Sequence, residues 1–257
     1  MFHNTLLSDS MEEDSFKWRA KNRISAIEKI FSIAKGDMGK VTLAARCALQ
    51  AYRETGCTEV IYIALTILAK LKIHDRELVG SIMDVLFSIK GNFLCLFSHT
   101  VFKDDGSAYG LLDDEESSEY FLTVVGDRCY EVGNDIIRFI DVPVGGLTLA
   151  AISAYMGSTS AVHLFLRHGA DPQKILRVIK FPPLPGRMAI ARLVARSTPY
   201  PGKELRSLLD LPNPPTLKHL CKFVIRYRLM LNNFLPIGIG SLPLFRQLQR
   251  YIDLLED

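Results

Sequence analysis

The sequence has no long apolar run, no closely paired cysteines and no large excess of one charge. Its longest apolar stretch, residues 60–69, is closed by Glu59 and Lys70. That is far short of the roughly 20 residues that cross a bilayer, so no membrane partner is expected. The five cysteines, Cys47, Cys57, Cys95, Cys129 and Cys221, form no C-x-x-C, and an odd number suits free thiols in a reducing compartment. The first 18 residues are polar, with acidic groups in their middle, and do not read as a signal peptide. The expected setting is cytoplasmic, with the nucleus also open. Gly (17) and Pro (12) are ordinary for 257 residues, which excludes collagen-like and low-complexity chains.

Catalytic signatures are missing too. Gly36 to Val41 resembles a phosphate loop only faintly, because Ala34 stands where the first glycine belongs and Val41 follows Lys40. His163 and His168 are five apart, off the i, i+4 spacing of a shared helix face, with no third ligand nearby. There is no Gly-x-Ser-x-Gly and no paired-carboxylate motif. Nothing argues for an enzyme, a cofactor or a metal.

What is present is helical periodicity and a core's worth of apolar residues, 48% of the chain. Trp18, Ile24, Ile27, Ile30, Phe31 and Ile33 mark one helix face, stopped by Gly36. Further helices are expected over 41–52, 58–73 (capped by Thr58), 76–89 (capped by Asp75), 118–125 and 127–140. Residues 92–102 read as a buried helix or an irregular segment, and Asp104-Asp105-Gly106 as a turn. Asp113 to Glu116 is a solvated helix start. Many short helices in series imply an all-α array.

Charge is uneven along that array. Residues 174–257 carry 14 Lys/Arg against 5 Asp/Glu, net +9, and the rest of the chain carries 17 against 23, net −6. The basic groups are spread over helices and linkers without aromatic interleaving, so no nucleic-acid partner is expected.

Two segments carry more than periodicity. In the first, Thr148 can cap a short helix whose Ala150, Ala151 and Ala154 allow close approach, and Gly157 breaks it. Val162, Phe165 and Leu166 then put an apolar face on a second helix, and Gly169-Ala170-Asp171-Pro172 ends it. This pattern resembles a divergent ankyrin repeat, with Thr148-Leu149-Ala150-Ala151 where the family has Thr-Pro-Leu-His.

The second segment follows the proline-rich boundary Leu211-Pro212-Asn213-Pro214-Pro215. Thr216 caps a helix, and Leu217, Leu220, Cys221, Val224 and Ile225 fall at i, i+3, i+4, i+7 and i+8, one apolar stripe. Lys218, Lys222, Arg226 and Arg228 stand opposite, and His219 is expected in solvent. After a break at Asn232 to Pro236 comes Leu242-Pro243-Leu244-Phe245, then Leu248 and Tyr251-Ile252. The order resembles the SOCS box from about Pro215 to Leu254. Together the two segments resemble ankyrin repeat and SOCS box proteins, the substrate receptors of cullin-RING ubiquitin ligases.

That resemblance implies three regions: residues 1–140, helical; 141–212, divergent ankyrin-like; and 213–257, the SOCS box. It implies that Leu217 and Cys221 enter an apolar pocket on elongin C, with Ile225 extending the contact and Leu220 and Val224 on the same stripe. It implies cullin contact through Leu242, Pro243, Leu244 and Leu248, with cullin five favoured and a RING protein behind it. Phe245 replaces the family's final proline, which puts that contact in question. The partners would be elongins B and C, a cullin and a protein substrate that the sequence does not name. The rival expectation is a helical scaffold that recruits no ligase, with the stripe packed inside the chain.

Overall fold

The computed structural model describes residues 37–101, 115–179 and 187–256, together with Ser25 and Lys29. Apart from Ser25 and Lys29, both helical, the expected helix over 18–33 lies outside the described residues, as do its stop at Gly36 and the turn at 104–106. The chain divides into two units, Met1–Gly91 and Asn92–Asp257. It is mostly helical, with twelve α-helices and four short strands among the described residues.

In the first unit, α1 (Met38–Thr55) starts where the Asp37 carboxylate accepts the amides of Gly39 and Lys40. It stops at Gly56, whose φ of 69° is the left-handed cap that glycine adopts without penalty. Residues 37–41, the described part of the faint phosphate-loop pattern, are the start of this helix. α2 (Thr58–Leu71) is apolar nearly all round, and Ile61, Ala64, Leu65, Leu68 and Ala69 are fully buried. Thr58 opens this helix, and the cap position itself falls on Cys57. α3 (Arg76–Lys90) is capped by Asp75 as expected, with its Oδ1 accepting Leu78 N at 3.0 Å. The same carboxylate meets Arg46 Nη2 of α1 at 2.6 Å.

The second unit opens with α4 (Leu94–Val101) and α5 (Glu115–Val125). Residues 127–140 are not the helix their apolar content suggests. They form an antiparallel hairpin, β1 (Cys129–Val132) with β2 (Asp135–Arg138), then a short 3₁₀ turn at Phe139–Asp141. The register pairs Val132 with Asp135, leaving Gly133-Asn134 as a two-residue turn with Gly133 at φ 65°. A glycine at the first turn position suits a tight hairpin, and Val132, Ile136 and Ile137 favour strands. A second small hairpin pairs β3 (Pro143–Val144) with β4 (Leu147–Thr148). Aromatic rings join these pieces: Phe93 lies 4.6 Å from Phe139 and 4.9 Å from Tyr130, and Phe97 lies 5.4 Å from Phe165.

A helix pair follows directly, α6 (Leu149–Met156) and α7 (Thr159–Arg167). Thr148 Oγ1 accepts Ala151 N at 3.3 Å, and Ala150, Ala151, Val162, Phe165 and Leu166 are buried. Gly169, at φ 86°, ends α7 while Ala170 N donates to Phe165 O at 3.0 Å. The Gly169 carbonyl accepts Arg138 Nη2 at 2.6 Å, which ties this exit to the first hairpin. Then come α8 (Pro172–Ile179), α9 (Arg187–Ser197), α10 (Lys203–Leu209), α11 (Leu217–Leu231) and α12 (Arg246–Ile252).

Candidate docking surface

α11 is capped at Thr216, whose side chain accepts His219 N at 3.3 Å. Of the four Lys/Arg side chains opposite the apolar stripe, Lys222 and Arg226 turn inward, while Lys218 and Arg228 stay exposed. Lys222 is 2% and Arg226 7% exposed, whereas Leu217 is 76% and Val224 55% exposed. Cys221 also lies exposed, so it is not the buried small side chain its apolar neighbours suggest. Leu220 and Ile225 are half-buried at the flanks of the same stripe. Tyr227 and Leu231 continue it outward toward the end of the helix.

The inward charges are held by specific partners. Arg226 Nη1 donates to Ile252 O at 2.9 Å, and Nη2 donates to Leu166 O at 2.6 Å and Arg167 O at 3.3 Å. Those carbonyls sit at the end of α7 and the end of α12, where a helix leaves acceptors unsatisfied and a cation is favoured. Burial pushes the Arg226 guanidinium down to about 10, so it remains charged at neutral pH. The ammonium groups of Lys218 and Lys222 lie 4.0 and 4.2 Å from the centre of the Tyr251 ring. His219 is half-buried and not in solvent, because its Nε2 donates to Thr198 O at 2.7 Å. Burial lowers its pKa.

The end of the chain is clamped onto α7 and α9 in the same way. Arg167 meets Asp253 through Nε at 3.2 Å and Nη2 at 2.8 Å, a two-pronged pair, and reaches Glu119 Oε1 at 3.3 Å. His163 Nε2 donates to Leu254 O at 3.1 Å, and Arg196 donates to the carbonyls of Leu254 and Glu256. Ile239, Ile252 and Leu254 are buried among these bonds.

The Leu242–Leu248 segment is mixed. Leu242, Leu244 and Leu248 are half-buried and Pro243 is exposed. Gln249 Nε2 holds the turn by donating to Leu242 O at 2.9 Å and Gly240 O at 3.3 Å. Phe245 stands 88% exposed at the N-cap of α12. Phe234 and Ile237, in the connection between α11 and α12, are exposed as well.

The stripe residues Leu217, Leu220, Cys221, Val224 and Ile225 therefore share one accessible face. Leu242, Pro243, Leu244 and Leu248 belong to a separate turn and helix start. Sequence reasoning missed Arg226, Gln249 and Asp253. The 219, 222, 226 spacing was the available signal, since it sets three polar groups on one face at three- and four-residue steps. An exposed apolar surface of this kind marks a binding site or an aggregation hazard.

Among the described residues, no three His, Cys, Asp or Glu side chains come together where they could hold a metal ion. No described helix is long and apolar enough to cross a membrane. No family model, curated protein or solved structure matches the chain.

Proposed function

We propose that the chain is a substrate receptor of an elongin B/C–cullin-RING ubiquitin ligase. The observation that carries this is the outward face of α11. Leu217, Cys221 and Val224 are offered to a partner, while Lys222 and Arg226 bind the helix to its own unit. A scaffold with no such partner would turn that stripe into its core. The order of residues along the stripe is the one that resembles the elongin-binding helix.

The mechanism is helix-in-groove recognition. Leu217 and Cys221 fill an apolar pocket on elongin C, Ile225 and Leu220 close its edge, and Val224 widens the contact. The turn at Leu242-Pro243-Leu244, backed by Leu248, faces the cullin, with cullin five favoured. The helical array, including the α6–α7 pair read as a divergent ankyrin repeat, holds a protein substrate. No bond is made or broken by this chain. Its contribution is proximity, which raises the effective concentration of substrate lysines near the ubiquitin-loaded enzyme. Arg226, Arg167 and Arg196 serve this by fixing α11 and α12 to α7 and α9, so that the box and the helix pair move together.

Co-expression with elongins B and C, followed by size-exclusion chromatography, tests the proposal. A stoichiometric ternary complex is expected. A chain that elutes alone, well folded and indifferent to the elongins, overturns it in favour of the helical scaffold.

A further inference from the structure

A cavity of about 320 Å³ lies on another side of α11 from the exposed stripe, lined by α9, α10, the proline-rich connector and α12. Its size is at the low end for small-molecule sites, about 300–1,000 Å³. Pro201, Leu209, Pro212 and Tyr251 contribute apolar walls, and Arg192 and Arg196 contribute charge. None of the described residues that line it is acidic.

Three features make this a built site. First, the proline walls have locked backbone torsions and no long rotamers with which to collapse inward. Second, the cationic groups differ in commitment. Arg196 is anchored by the carbonyls of Leu254 and Glu256. Arg192 is exposed, with no ion pair or hydrogen bond to any described residue. Third, the Lys218 and Lys222 ammonium groups gather on the Tyr251 ring, adding positive potential beside one wall.

We infer that this cavity binds a small apolar carboxylate. A planar guanidinium matches a carboxylate with two parallel hydrogen bonds. The apolar walls favour an organic body over a strongly hydrated inorganic dianion, whose desolvation they could not offset. The inference does not rest on the ligase proposal, because the cavity is lined by His219 and Thr216 and by none of the stripe residues. Since the ligand touches α9, α11 and α12 at once, it stabilises the folded unit by mass action.

The test uses the full chain and three probes of one shape: 2-naphthoate, 2-naphthylmethanol and 2-naphthylmethylammonium. Calorimetry is expected to give one naphthoate site per chain, with the alcohol and the ammonium at least tenfold weaker, and naphthoate is expected to raise the melting temperature. Arg192→Glu is expected to weaken naphthoate at least tenfold, and Arg177→Glu, on α8 outside the cavity, to leave it unchanged. Leu209→Trp, which fills the space, is expected to remove binding. Equal affinity for the three probes, an Arg192→Glu chain that binds naphthoate as before, or loss of binding on Leu217→Asp would each overturn the inference. The last result would place the probe on the docking stripe. It is distinguishable from failure of the ligase proposal, which is read by elongin binding alone.

Discussion

Arg226 donates to the carbonyl of Ile252 at 2.9 Å, and this bond between α11 and the end of α12 decides which way α11 faces. With the guanidinium buried, the apolar stripe has only the outside left to it.

Removing that guanidinium takes the donor from the carbonyls of Ile252 and Arg167, whereas Leu166 O keeps the amide of Gly169 at 3.0 Å. Arg226→Met is therefore expected to destabilise the second unit by roughly 2–4 kcal/mol, the cost of leaving buried acceptors without donors. Arg226→Lys keeps the charge but lacks the fork, and should fall between. Denaturant unfolding measures both, and a Met variant as stable as the parent would refute the role given to Arg226.

Stability should depend on pH through three histidines drawn out of solvent, His168 buried and His163 and His219 half-buried. His163, His168 and His219 all have pKa values pushed below the ordinary 6.5, in each case chiefly by burial. His168 Nε2 stands 3.9 Å from Glu119 Oε1, and that carboxylate offsets only part of the effect of burial. As pH falls through 6.5 the unfolded chain takes up protons before the folded one. The stability held above that pH is then lost. Glu119 adds a second loss lower down, because His168 and Arg167 hold its carboxyl below the ordinary 4.5. Unfolding midpoints at pH 8, 6.5 and 5 should decline in that order, and His168→Gln should flatten part of the decline. A flat profile would contradict this.

Gly169 closes α7 at φ 86°, and a methyl group there would also meet Met230 Cγ at 3.3 Å and Leu235 Cδ1 at 3.4 Å. Gly169→Ala carries the left-handed penalty and a tight contact together, about 1–2 kcal/mol. Thermal unfolding of the variant should show a drop of that order. No drop would mean that the turn readjusts at little cost.

This site was legible in the sequence, and others were not, for physical reasons. Thr148, Gly157, Gly169 and Asp75 act at helix ends, where local rules decide the outcome. The stripe on α11 was legible as a stripe, but its direction was not. A polar inward face needs acceptors from elsewhere, and the carbonyls of Leu166 and Ile252 lie 60 and 26 residues away from Arg226 in sequence. The hairpin at 129–138 was read as helix because β-branched and apolar residues crowd it without strict alternation. Gly133-Asn134 was the turn signal that outweighs the apolar count.

Leu217→Asp and Cys221→Asp separate docking from folding. Both side chains already meet water, so the folded state should change by no more than about 0.5 kcal/mol. Elongin binding should nonetheless be lost, since a carboxylate would be buried in an apolar pocket. Pull-down with purified elongins B and C reads the binding, and the melting temperature reads the folding. Binding that survives either substitution contradicts the assignment of the stripe.

Phe245→Pro tests the cullin half of the proposal. Phe245 sits at φ −58°, ψ 144°, a conformation proline adopts without strain, and its side chain is 88% exposed. Proline is also well tolerated where a helix begins. The substitution removes an exposed aromatic ring, restores the Leu-Pro-Leu-Pro pattern, and preorganises the turn that Gln249 already holds by its bonds to Leu242 and Gly240. Because a rigid turn loses less freedom on binding, tighter association with cullin five is expected from the elongin-bound chain. Calorimetry against the cullin reads the change. If the Pro variant binds more weakly than the parent, Phe245 is itself an anchor, and its exposed ring is the contact that proline would take away.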